Sequence, residues 1–143
     1  MAEPQTFKTH RRFDPPYHFF LTPLALVAVV ASAYHLYKHP SWHFGLVLLA
    51  ALAAFLLVVK VRTYALRVQD RLIRLEETLR MQRLLPADLQ GRVQEVSPDQ
   101  FVGLRFAADA ELADRVREAL EEKLDGEAVK KRIQTWRPDT FRV

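Results

Sequence analysis

The chain has no cysteine among its 143 residues, which excludes disulfides, iron–sulfur clusters and thiol catalysis and suits a cytoplasmic tail. Glycine occurs only four times, and no glycine-rich phosphate loop, nucleophile elbow or metal-ligand spacing can be assembled from the sequence. Lys, Arg, Asp and Glu are missing from Tyr17 to Tyr37 and again from Trp42 to Val59. Intramembrane charge, the usual mark of a transporter or proton path, is therefore lacking. Between Leu46 and Leu85 there is neither glycine nor proline. These absences predict a protein that is not an enzyme, without a resident cofactor.

The charge-free runs dominate what is present. At a rise of about 1.5 Å per residue, each approaches the roughly 30 Å of a bilayer's hydrocarbon core. They predict a transmembrane helical hairpin over 17–61, with spans at about 17–37 and 42–59. The break from Lys38 to His43 contains Pro40, which disfavours helix continuation. Tyr17, Tyr34, Tyr37 and Trp42 flank the runs as aromatic residues do at headgroup depth. Ala31, Ser32 and Ala33 resemble a signal-peptide cleavage site, but the second apolar run follows at once and favours retention as a span.

Lys8, Arg11 and Arg12 precede the first run, and Lys60, Arg62, Arg67, Arg71 and Arg74 follow the second, whereas the turn carries only Lys38. This bias places both termini in the cytoplasm of a multi-pass protein of the inner (cytoplasmic) membrane. The net charge of +4 is uneven: through Leu85 there are 11 basic against 5 acidic residues, and beyond it 10 against 12. Basic charge thus gathers where anionic lipid attracts it, making membrane lipid the expected partner of this part. The mildly acidic remainder argues against nucleic acid, although Lys130, Lys131 and Arg132 would supply phosphate contacts in a helix-turn-helix alternative.

Residues 1–16, with Pro4, Pro15 and Pro16, read as an N-terminal cytoplasmic arm whose Phe7 and Phe13 lie at the interface or dock on a partner. Within the hairpin, Thr22 and Pro23 predict a local accommodation or kink. His35, His39 and His43 cluster by sequence at the turn and are the candidate metal or haem ligands, the basis of an alternative redox-subunit reading. No histidine on the second span faces back toward them.

Residues 60–85 extend the second span as a cytoplasmic helical stalk. Val61, Ala65, Val68, Leu72, Leu75 and Leu79 recur at alternating steps of four and three, a coiled-coil seam in which Arg71 and Glu76 flank the core positions and complement one another in a parallel homodimer. Leu66 and Ile73 widen the stripe, so packing on the chain's own terminal domain or on another subunit fits the pattern equally.

Residues 86–143 form a small helical cap domain. Pro86 breaks the stalk; Ser97, Pro98 and Gln100 offer an N-cap, an N1 proline and a capping-box partner. Asp109 is the expected cap of the next helix, where Leu112, Val116, Leu120 and Leu124 recur every four residues until Gly126 stops it. A last helix from about Glu127 presents Val129 and Ile133 and ends around Trp136 to Pro138, with Trp136 as a packing anchor or interaction residue. The fold class is an all-α membrane protein.

The stretch from Phe101 to Leu112, the run from Val129 to Ile133 and the closing W-R-P-D-x-x-R-V motif that starts at Trp136 resemble a bacterial family of small two-span membrane proteins, known as a domain of unknown function. The resemblance implies this fold pattern and supplies no catalytic residues. The functional expectation is a non-catalytic, membrane-anchored accessory or scaffolding subunit whose partners are other membrane-complex subunits. The alternative is a homo-oligomer assembled through the 61–79 seam.

Overall fold

In the computed structural model, residues 6–9 and 14–139 are described, and all regular elements among them are helical. Arg11, Arg12, Phe13, Arg142 and Val143 lie outside the described residues. The chain divides into two compact units, Arg12–Leu66 and Arg67–Val143 together with Met1–Arg11.

The first unit begins with a π-helical segment, Pro16–Leu21, that runs into α1, Thr22–Lys38. Pro23 explains the wide turn. Its ring lacks an N–H and crowds the carbonyl four residues back, so the backbone loosens before it. The Thr22 N–H reaches the Tyr17 carbonyl five residues back, and Thr22 Oγ1 donates to the same oxygen at 2.8 Å. α1 stops where His39, restricted by Pro40, leaves the helical region at φ −133°. Helix α2, Trp42–Leu84, then runs for 43 residues without interruption.

Pro16–Lys38 and Trp42–Leu84 are long and apolar enough to cross a membrane, and only 6% and 0% of their most apolar windows are buried. A core helix of a soluble protein would be mostly covered; these apolar side chains stand outward. Ser32 is the one buried residue of α1, its hydroxyl satisfied by the Val29 carbonyl at 3.0 Å. Contacts between the two apolar helical segments include the Arg62 guanidinium, 5.6 Å from the Tyr17 ring, and His35, stacked on Phe44 at 5.8 Å.

The second unit is built on the last part of α2. Ile73 and Met81, followed by Leu85, turn inward. Pro86 takes an extended conformation and leads α3, Ala87–Gln90, which places Leu89 in the core; a 3-10 turn, Val93–Glu95, follows. Gln90 Nε2 donates to the Leu85 carbonyl at 2.9 Å, satisfying an oxygen left open at the end of α2. Helix α4, Pro98–Leu104, begins with the capping box expected from the sequence. Ser97 Oγ accepts from the Gln100 N–H at 3.2 Å, and Gln100 Oε1 accepts from the Ser97 N–H at 2.8 Å. The same Gln100 uses its Nε2 to bind the carbonyls of Ala119 and Leu124.

Helix α5, Leu112–Glu121, buries Leu112, Val116 and Ala119, with Leu120 and Leu124 only partly covered. Successive steps of four drift about 40° each round a helix, so the inward face passes from Leu120 to Ala119. The helix ends before Gly126 because Lys123 takes the left-handed conformation, φ 52°, and Leu124 N–H returns to the Ala119 carbonyl at 3.1 Å. Gly126 serves a different purpose. Its N–H donates to Asp99 Oδ2 at 2.5 Å, and a Cβ there would stand 2.3 Å from the Asp99 carbonyl oxygen. Helix α6, Gly126–Arg132, is capped by Asp125, whose Oδ1 accepts from Ala128 N–H at 2.7 Å. Beyond Ile133 the chain is extended rather than helical. Ala108 N–H donates to the Thr135 carbonyl at 3.0 Å and Arg137 N–H to the Phe106 carbonyl at 2.8 Å, bridging Ala107 and Trp136.

Candidate functional site

Two faces of α2 carry the features of interest in the second unit. On the inward face, Glu77 and Arg80 follow Ile73 at helical spacing and are only 4% and 6% exposed. Burial of two charges requires full pairing. Arg80 donates to Glu77 Oε2 at 2.9 Å, to the Ala107 carbonyl at 2.7 Å, and to Asp109 Oδ1 at 2.8 and 2.6 Å from two nitrogens. The other Glu77 oxygen accepts from Arg137 at 3.1 Å. What this cluster does chemically is join three segments: α2, the loop after α4, and the extended segment after α6.

The loop carboxylate behind this cluster corrects one expectation. Asp109 does not cap α5, whose N-cap is Glu111 without a side-chain cap bond. Arg80 holds the Asp109 carboxylate, while Glu111 accepts from the N–H groups of Gln134 and Thr135 at 3.1 and 2.8 Å. Glu77, Arg80 and Arg137 were not legible as a set, since their partners lie 27–60 residues apart. The available signal was weaker: a polar pair at i and i+3 set between inward-facing Ile73 and Met81.

Beside the cluster lies a cleft of about 520 Å³ whose walls include Gln69, Leu72, Glu76, Arg83 and Pro138. Arg105 closes part of it, with Nε 3.3 Å from the Asp139 carboxylate and the guanidinium 4.6 Å from the Phe106 ring. Trp136 is half-buried, its ring 5.1 Å from that of Phe106, and so anchors the extended segment.

The outward face of α2 holds the predicted seam. Val68, Leu72, Leu75 and Leu79 are 68, 52, 57 and 51% exposed. Leu75 and Leu79 each follow a buried residue, Ile73 and Glu77, by two positions, which is about 200° round the helix. Ile73 therefore belongs to the core rather than widening the seam. In the first unit, Val61 is also exposed and Ala65 is half-covered.

The turn histidines each lie against an aromatic ring. His35 stacks on Phe44, His39 lies 6.4 Å from the same ring, and His43 rests against Trp42. Among the described residues, no group of three or more His, Cys, Asp or Glu is placed to hold a metal ion. The basic run of α6 is engaged internally: Lys131 pairs with Glu127 at 3.0 Å and its Nζ lies 5.6 Å from the Phe7 ring, while Arg132 forks onto Glu122 and also approaches Glu118. That fork holds the Glu122 carboxyl below its ordinary pKa.

The fold and these faces define an all-helical protein with two helices of membrane-crossing length and a small helical unit stitched by buried ion pairs. The chain belongs to the Family of unknown function (DUF6526), whose model matches residues 1–143. No curated protein and no solved structure matches it.

Proposed function

We propose that the protein is a membrane-anchored accessory or scaffolding subunit, without catalysis of its own, in a larger complex of the inner membrane. In this reading α1 and the first part of α2 form an antiparallel transmembrane hairpin with both termini in the cytoplasm. Support for the hairpin comes from the contact pairs Tyr17–Arg62 and His35–Phe44, one toward each end of the two helices, and from the outward apolar side chains. The basic residues around Lys60 to Arg74 then meet the anionic leaflet.

The observation that carries the scaffolding reading is the division of labour on α2. Its charged inward residues are fully committed to holding the domain together, whereas its outward leucines are left to solvent. Exposed apolar surface rimmed by polar residues marks protein contact. The test is the native mass of the protein extracted gently from its own membranes, with co-purifying chains identified. A stoichiometric set of different subunits is expected; a particle made only of this chain would overturn the accessory role.

A further inference from the structure

We infer that the face formed by Val68, Leu72, Leu75 and Leu79 is covered by the same face of a second copy of this chain, the two α2 helices lying parallel and in register. The inference deepens the anchored reading above and rests on it.

The four residues lie within one unit, alternate in steps of four and three, and are each more than half exposed; Val68 and Leu75 point away from the side on which Ile73, Glu77 and Met81 enter the core, while Leu72 and Leu79 reach the rim of the cleft beside the ion-pair cluster. The described part of the terminal domain therefore leaves at least half of each side chain uncovered. A stripe with this period is complementary to itself, because each residue meets its own counterpart across a parallel two-helix interface.

The flanking charges select this occupant. Arg71 and Glu76 are exposed on either side of the stripe, and neither forms an ion pair among the described residues. With Leu72 and Leu79 at one core position and Leu75 at the other, Arg71 of one copy faces Glu76 of the second copy in the parallel arrangement. In the antiparallel one, like flanks face each other and this pairing is lost. Two copies anchored with the same orientation in one bilayer present α2 in the same direction. Confinement to the membrane raises their effective concentration, so a seam of about two heptads suffices.

The absence of cysteine makes the test direct. Leu72→Cys, Leu75→Cys and Leu79→Cys are introduced singly into the full chain, with Asp70→Cys as an exposed control on the far side of the helix. Native membranes are first washed with alkaline carbonate and then mildly oxidised. Each of the three leucine positions is expected to form disulfide-linked dimers several-fold above the control. Arg71→Glu and Glu76→Arg should each lower the yield of the Leu75→Cys dimer, and the two together should restore it.

Yields no higher than the Asp70→Cys control, in membranes that retain the chain through carbonate, would overturn the dimer while leaving the anchor intact. Cross-linking of Val68→Cys with Leu79→Cys in place of self-pairing would overturn the parallel register. Release of the chain by carbonate would refute the anchoring, and the parallel orientation with it.

Discussion

Replacing Arg80 by Met tests whether the buried cluster governs the stability of the second unit. The methionine approximates the arginine stem in volume, so the change removes charge and hydrogen bonds more than packing. Arg80 makes four hydrogen bonds, and its partner Glu77 is almost fully buried. Removing one member of a buried ion pair typically costs about 3–5 kcal/mol, because the remaining charge is left in a poor solvent. Here Glu77 retains Arg137, and the Asp109 side chain, 66% exposed, is rehydrated at little cost, so the lower end, about 3 kcal/mol, is expected. Asp109→Asn and Arg137→Met should each cost about 1 kcal/mol or less, since Arg80 stays paired with Glu77 in both. Combining Arg80→Met with Glu77→Leu should recover part of the loss. The assay is denaturant unfolding of the full chain in detergent with Trp42→Phe, which leaves Trp136, packed on Phe106, as the fluorescence reporter. A cost for Arg80→Met below about 1 kcal/mol, or a double variant as unstable as the sum of the singles, would refute the reasoning.

Gly126→Ala drives a methyl against the Asp99 backbone and should destabilise the same unit by about 1–3 kcal/mol, read as a lower unfolding midpoint. Lys123→Gly relieves a left-handed backbone and should raise that midpoint, by about 0.5–1 kcal/mol after the added freedom of the unfolded glycine is counted. Because Arg132 holds the Glu122 carboxyl below its ordinary pKa, the pair contributes above that value and its contribution is lost as pH falls through the depressed one. The stability difference between the protein and Glu122→Gln, followed from pH 7 downward, should therefore hold until the ordinary glutamate range is reached, fall away as pH drops from there through the lowered value, and shrink with added salt.

Local signals were legible in the sequence, and long-range polar pairs were not. The two apolar runs, the break at Pro86 and the Ser97–Gln100 capping box each depend on residues within a few positions of one another, and each appears where expected. The end of α5 shows the limit of such reading. Gly126 resembles a helix stop, yet Lys123 adopts the left-handed turn and Gly126 is required by the approach of Asp99. Asp109 likewise has the chemistry of a cap, but Arg80, 29 residues earlier, offers its carboxylate a charged fork. The expected end of the last helix near Trp136 failed for a similar reason: backbone pairing with Phe106 and Ala108 holds that segment extended. The seam residues were readable as a stripe, while the sequence left open which face of α2 the domain would occupy; buried Ile73 and Met81 decide it.

The cluster around Glu77 also orders events in time. Arg137 is made 60 residues after Glu77, about 3–12 s later at the usual pace of synthesis. During that interval Glu77 has its neighbour Arg80, one turn along the same helix, and the pair is neutral before any tertiary contact exists. The nascent helix thus carries no naked carboxylate at its future core, and the segment after α6 completes the cluster. Closure of the domain in this sense waits for Arg137, which ties the segment after α6 back to α2 across 60 residues of chain.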